Sequence, residues 1–333
     1  MSVELVHVYR GDEVESIHRG DVVCVHSDGK IAFMYGDAYK RTFWRSSAKP
    51  FQIIPFVEGG GLEKYGITPK ELALMTASHG GESAHLEVLD QILDKLGMTV
   101  DDLDCGTARP MHEGEYRRLL REGIPFGQGN NPCSGKHSGM LGLGLLKELP
   151  LEDYIEIQHP VQQMMLDIVS SVTELHKENI DIAIDGCGVP VFGLPIYNMA
   201  LAYTKLDDKK PPENLQVSLD ALKRIAEAMT ENPYYVAGTD RLDTILMTAT
   251  KGRILAKLGA ESVYCMTIRG EGLGIAMKIE DGSYRALDAF VPDLLLKHEL
   301  IRFEEYESIR AQLAINVYNH RKQVVGFMKS TII

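Results

Sequence analysis

Apolar and polar positions alternate near both ends of the chain and recur at helical spacing between them. Residues 4–10, 21–26 and 31–35 are rich in β-branched and aromatic side chains, and Asp28-Gly29 is a hairpin turn signal, so strands are predicted there. From Ser46 the period lengthens, and a helix is predicted over 49–57, closing at Gly59-Gly60-Gly61. Thr68-Pro69-Lys70-Glu71 reads as a helix start, with threonine as cap and proline in the first position. Residues 82–96 are amphipathic and close at Gly97. Further helices are predicted at 113–122, 136–148, 159–178, 194–204 and 216–231, with a buried strand or extended segment at 180–184. Strands return at 262–268 and 274–279. Asp281-Gly282 then turns the chain into a short strand at 284–286, and helices at 288–298 and 303–316 finish it.

Strands at both ends and helices between them predict a mixed α+β fold (α/β in content). An antiparallel sheet is assembled from the two termini, and the helical part, 46–231, is inserted within a single domain spanning 1–333. No repeat or linker interrupts the chain, and the polar stretch 205–214 reads as a solvated turn. With 333 residues and 44% hydrophobic residues, a large core can be buried.

Charge narrows the function. Lys plus Arg number 35 and Asp plus Glu 47, a formal net charge of −12, which repels nucleic acid and anionic membranes. A small neutral or zwitterionic partner fits better. Residues 1–5 lack the basic flank and apolar run of a signal peptide. The uncharged stretch 186–204 contains Pro190, Gly193, Pro195 and Asn198, and reads as buried loop plus helix rather than a membrane span. The five scattered cysteines do not suggest a disulfide framework, and a cytoplasmic location is expected.

Four segments could carry chemistry. Ser46 and Lys49 lie three apart, so one helical turn puts both on one face. This is the serine–lysine spacing of serine β-lactamases and penicillin-binding proteins, and a lysine of lowered pKa can activate the hydroxyl. The same residues also make a plain helix start, with a serine cap and a solvated lysine. In Ser78-His79-Gly80-Gly81-Glu82, small residues allow close approach of a ligand, though Ser78 or Gly81 could simply start the following helix. The stretch 127–139, with Cys133 and Lys136 on one helical face, fails as a phosphate loop, because Asn130 stands where glycine is required and His137 where Ser or Thr is required. Cys133 could bind a metal or be buried structure. In Asp185-Gly186-Cys187-Gly188, glycines leave the sulfur accessible, and a two-thiolate site arises if the fold joins Cys187 to Cys133. There is no G-x-S-x-G elbow, no zincin motif and no G-x-G-x-x-G after a strand.

Taken together, RSSAKPFQ (45–52), SHGGE (78–82), NPCSGKHSGML (131–141) and DGCGVP (185–190) resemble the rhizobial-type (class 3) L-asparaginases, the asparaginase II family. FGLP (192–195), VAGT (236–239) and KLGAE (257–261) extend the match along almost the whole chain. The chain departs from the family at Ser262, where glycine is expected, and in the unusual Thr107-Ala108-Arg109. The TGGT-type threonine loop of other bacterial asparaginases is absent.

The resemblance implies a fold like serine β-lactamases and glutaminases. It also implies two serine–lysine pairs, Ser46 with Lys49 and Ser78 with Lys257, for which Lys251 is the nearby competitor. A zinc ion, one per chain, is implied on Cys133, Lys136 and Cys187, and members are homodimers. The substrate-binding candidates are Arg45, His79, Asp185 and Gly186, with Asp185 expected to meet the substrate's α-amino group or a zinc-bound water, or else to be structural. The expected activity is hydrolysis of L-asparagine to L-aspartate and ammonia through an acyl-enzyme, with Ser46 as nucleophile. The competing readings are a related amidase acting on glutamine or a β-lactam, and a non-enzymatic zinc or amino-acid binding protein. The β-lactamase reading lacks its Lys-Thr-Gly and Ser-Asp-Asn motifs.

Overall fold

Both ends of the chain enter one antiparallel sheet. The structure is a computed structural model that describes residues 1–207 and 216–332. Most of the polar turn expected at 205–214 therefore lies outside the described residues. The strands are β1 (Val3–Arg10), β2 (Glu13–His26), β3 (Ile31–Tyr35), β4 (Arg41–Phe43), β5 (Asp181–Ile184), β6 (Pro190–Pro195), β7 (Ile254–Gly259), β8 (Val263–Ile268), β9 (Leu273–Ile279), β10 (Asn316–Tyr318) and β11 (Val324–Ser330). The large sheet runs β10-β11-β1-β2-β9-β8-β7, with β3 also on β2, and a small sheet runs β4-β6-β5. The α+β expectation is met.

The sheet is covered on both faces, and strand alternation decides which side chain goes where. On β2, Val23 and Val25 pack toward the central helices, while Val22 and Cys24 pack toward the C-terminal ones. On β7, Leu255 joins the central core, while Ile254, Ala256 and Leu258 join the C-terminal core. Lys257, on the same side of the strand as Leu255, therefore faces the central helices.

Burial on both faces also explains what the sequence pattern missed. All six residues of β7 are buried, so no alternation marks it as a strand. β6, likewise buried, occupies the start of the helix predicted at 194–204, which runs instead over Ile196–Tyr203. The strand expected at 284–286 is the first turn of helix Tyr284–Lys297. The helix expected at 303–316 stops at Arg310, and the chain returns as β10 and β11. Most central predictions hold within a few residues, among them Ser83–Leu96 closed by Gly97 and Glu113–Glu122. The predicted helix 49–57 is broken into Lys49–Gln52 and Ile54–Glu58. No described helix is long and apolar enough to cross a membrane, and all five cysteines are free and buried.

Candidate active site

Ser78 lies just past helix Pro69–Met75, whose start is fixed by a reciprocal bond pair between Thr68 and Glu71. The Ser78 backbone N–H donates to the Val236 carbonyl at 2.9 Å, which ties the loop to the segment after helix Leu219–Glu231. Its hydroxyl accepts from two buried amines, Lys49 Nζ at 3.0 Å and Lys257 Nζ at 3.1 Å. Lys49 is further held by the Ala77 carbonyl at 2.5 Å, and Lys257 by the Leu258 carbonyl at 2.9 Å. Burial pushes both amines down. Lys257 falls to about 7, with the Asp243 charge opposing burial and Lys49 reinforcing it. Lys49 is also lowered by burial, against the pull of Cys133. A lysine near 7 can exchange a proton with a serine at neutral pH.

The lysines are not divided between two serines as the family resemblance implies: both donate to Ser78. Lys49 points to Ser78, and no hydrogen bond joins it to the Ser46 hydroxyl among the described residues. The motif starts with a tight 3-10 turn over Arg45–Ala48 rather than a regular helix. Arg45 takes φ +51°, a conformation disfavoured for a residue with a Cβ and frequent at functional sites. β7 presses on this turn at Gly259, where a Cβ would lie 3.0 Å from the Trp44 carbonyl oxygen and 3.1 Å from Ser47 Oγ. Ser47 itself is structural, donating to the Lys257 carbonyl at 2.8 Å. Ser46 is half-buried and faces the same cavity as Ser78.

Beside these amines is a sulfur cluster. Helix Ser134–Leu146 packs so closely on helix Pro69–Met75 that a Cβ on Gly135 would sit 2.1 Å from the Leu74 carbonyl oxygen. That approach brings Cys133 and Lys136 toward the Asp185–Val189 turn carrying Cys187. Lys136 Nζ lies 3.1 Å from Cys187 Sγ. Cys133 is held well below the usual thiol range, chiefly by its interaction with Cys187, and the same interaction pushes Cys187 up. Lys136 is raised even though burial opposes it, because the Cys187, Cys133 and Asp185 charges outweigh burial. Two sulfurs and one amine nitrogen suit a borderline-soft ion such as zinc, so the donor set fits the implied metal. Among the described residues no group of three or more His, Cys, Asp or Glu is arranged to hold a metal, and the fit depends on the lysine.

Ser46 and Ser78 open on a cavity of about 290 Å³, also lined by Arg45, Cys133, Asp185, Gly186 and Cys187. Arg45 grips Asp185 Oδ1 through Nε at 2.9 Å and Nη2 at 2.8 Å, and the Gly186 N–H adds a third bond at 2.8 Å. Burial raises the Asp185 carboxyl, but Lys136 and Arg45 outweigh it and hold the group below the usual range. His79 does not line the cavity. It is fully buried, its Nδ1 accepts from the Gly81 N–H at 3.1 Å, and its Nε2 meets Ser134 Oγ at 2.8 Å. Burial holds it neutral. It supports the loop rather than the cavity wall. Lys251 is exposed, and Arg109 lies over the Tyr116 ring and is not among the residues that line the cavity. Sequence reasoning did not single out Asn131, Arg241 or Tyr284, which also line the cavity. Arg241 could have been found, because it is the second residue after the VAGT segment.

Comparison with known proteins adds the family. No curated protein matches the chain. Three solved structures of a protein named Mglu are similar. One matches at 14% identity with a TM-score of 0.38, covering 85% of this chain and 67% of that one. Its glutamate form matches at 13% identity and 0.38, covering 85% and 61%. A native form matches at 13% and 0.36, covering 80% and 61%. The chain thus spans between 61% and 67% of these proteins' length. The L-asparaginase II family model, by contrast, matches from residue 6 to residue 330. The chain therefore belongs to the L-asparaginase II family, amidohydrolases of the asparaginase kind.

Proposed function

We propose that the protein hydrolyses the side-chain amide of L-asparagine to L-aspartate and ammonia, by serine–lysine acyl transfer. The observation that supports this is the Ser78 hydroxyl between two buried lysine amines, at 3.0 and 3.1 Å. Neutral Lys257 takes the Ser78 proton, and Ser78 Oγ attacks the amide carbon. The lysine returns the proton to the leaving nitrogen, and ammonia departs. Water, deprotonated by the same amine, then cleaves the aspartyl ester and restores the serine. Lys49, also in contact with Ser78, holds the hydroxyl in place. Ser46 as nucleophile is the second reading. It is favoured by its greater exposure, half-buried against 7% for Ser78. The Asp185 carboxylate is proposed to receive the substrate's α-ammonium.

One zinc ion per chain is proposed on Cys133, Lys136 and Cys187. Bound there it supplies a fixed positive charge that shapes the cavity. Lys136 must give up its proton to ligate, so zinc should leave as pH falls. A homodimer in the cytoplasm completes the proposal, and light scattering reads the oligomeric state.

Ammonia release tests the substrate. L-Asparagine should be turned over far faster than L-glutamine, although one methylene is worth only about 1–3 kcal/mol in a pocket. Glutamine hydrolysis as fast as or faster than asparagine hydrolysis overturns the assignment.

A further inference from the structure

The cavity contains two guanidinium groups with different surroundings. Arg45 is already committed to Asp185. Arg241, which starts helix Leu242–Ala249, forms no ion pair among the described residues. Among the described residues its one side-chain hydrogen-bond contact is Nη1 to Met111 Sδ at 3.8 Å, a weak acceptor on an exposed side chain. The nearby Asp288 is no substitute partner. Burial pushes its carboxyl up to about 6, Arg241 and Arg310 oppose that, and no ion pair forms between Asp288 and Arg241. Arg241 also lies close enough to the reacting centre for its charge to help lower Lys257. A half-buried arginine facing a cavity without an anionic partner is poised for an anionic ligand.

The rest of the cavity shows which part of a ligand is left to satisfy. The Arg45 and Gly186 bonds all fall on Asp185 Oδ1, and Oδ2 makes none among the described residues. One wall thus offers an open carboxylate oxygen and another an open guanidinium, matching the opposite charges of a free α-amino acid. The chain as a whole carries −12, so an anionic group needs such a local cation to be drawn in.

We propose that Arg241 is the residue that binds the substrate's α-carboxylate and restricts the site to free amino acids. The assignment rests on the asparaginase reading and deepens it. Its planar fork meets a carboxylate through two parallel N–H bonds, which a lysine cannot reproduce.

The test is calorimetric binding of L-aspartate and of 3-aminopropanoate, which is aspartate without its α-carboxylate. Arg241→Gln should weaken L-aspartate about ten- to a hundredfold, the range for a charged hydrogen-bonding contact. It should not change the already weaker binding of 3-aminopropanoate in proportion. Kinetically, the preference for L-asparagine over 3-aminopropanamide, measured as a ratio of kcat/KM, should collapse by a similar factor. Arg241→Lys should fall between wild type and Arg241→Gln, and carries the same test if the glutamine variant does not fold. Equal losses for both ligands, an unchanged affinity for L-aspartate, or collapse of the ratio in Arg45→Gln instead would overturn the assignment. Ammonia release by the unaltered protein reads the hydrolase separately. If L-aspartate binds through Arg241 but no ammonia is released from L-asparagine, the hydrolase reading fails and the carboxylate site stands.

Discussion

Two neighbouring regions of this protein bury lysines and treat them in opposite ways. Around Ser78, Lys49 and Lys257 donate to a neutral hydroxyl, and burial outweighs the upward pull of Cys133 on Lys49 and of Asp243 on Lys257, driving both down, Lys257 to about 7. Around Cys187, Lys136 is just as deeply buried, yet it is raised, because two sulfurs and Asp185 supply negative charge. Desolvation is common to both regions, and the charge of the partner decides the sign. One region therefore holds an amine able to exchange protons at neutral pH. The other holds a cation, or with zinc bound a neutral ligand.

The sharpest way to break this comparison is at the hydroxyl. Ser78→Ala should lower turnover of L-asparagine by on the order of 10³-fold or more with the fold retained, as loss of a nucleophile does. In hydroxylamine, the unaltered enzyme should release aspartyl hydroxamate, and rapid-quench mass spectrometry should find the ester on the peptide containing Ser78. An ester on the Ser46 peptide, with Ser78→Ala still acylating, would exchange the roles of the two serines.

Next comes the base. Lys257→Met should lower kcat by about 10²–10⁴-fold, the usual contribution of a positioned proton-transfer group. In the unaltered protein, kcat/KM should rise as pH rises through about 7, where Lys257 loses its proton, and then level off. A rate that falls across that range would mean the charged amine is the active form.

Metal content separates the second region from the first. Protein expressed with ample zinc should contain about one ion per chain by elemental analysis, and Cys187→Ala should lose it, since a two-ligand remainder binds weakly. Ser78→Ala should keep it. Undiminished zinc in Cys187→Ala would place the ion elsewhere.

The smallest effect concerns stability. In metal-free protein, Lys257→Met should raise stability at neutral pH by about 1 kcal/mol, because it removes a buried amine whose pKa folding depresses. The sign follows from linkage: the unfolded chain binds more protons between the folded value near 7 and the unfolded value of about 10.4, so the gain is full below 7 and fades as pH approaches 10.4. Lys136→Met should lower stability by about 1–3 kcal/mol, since it leaves a buried thiolate without its cation. Thermal melts of both variants across pH, moving in the same direction, would contradict the contrast.

The sequence by itself determined the α+β class, most of the central helices, and the identity of the chemical groups. Ser46, Lys49, Ser78, Lys257, Cys133, Lys136 and Cys187 all stand in short motifs whose combination is specific. Local signals sufficed wherever the cause was local: Thr68 and Pro69 at a helix start, Gly97 at a helix end, Asp28-Gly29 between two strands. Tertiary structure decided the rest. β7 carries Lys257 but is buried on both faces, so it has no alternation to read. Which serine Lys49 touches depends on Gly135 and Gly259, whose missing side chains let a helix and a strand approach backbone to backbone. His79, expected at the substrate, is buried behind the cavity wall, whereas Arg241, which the sequence did not single out, lines the cavity. Whether a side chain faces a cavity or a hydrogen-bonded wall depends on segments far away in sequence, and neighbouring residues carry no record of that.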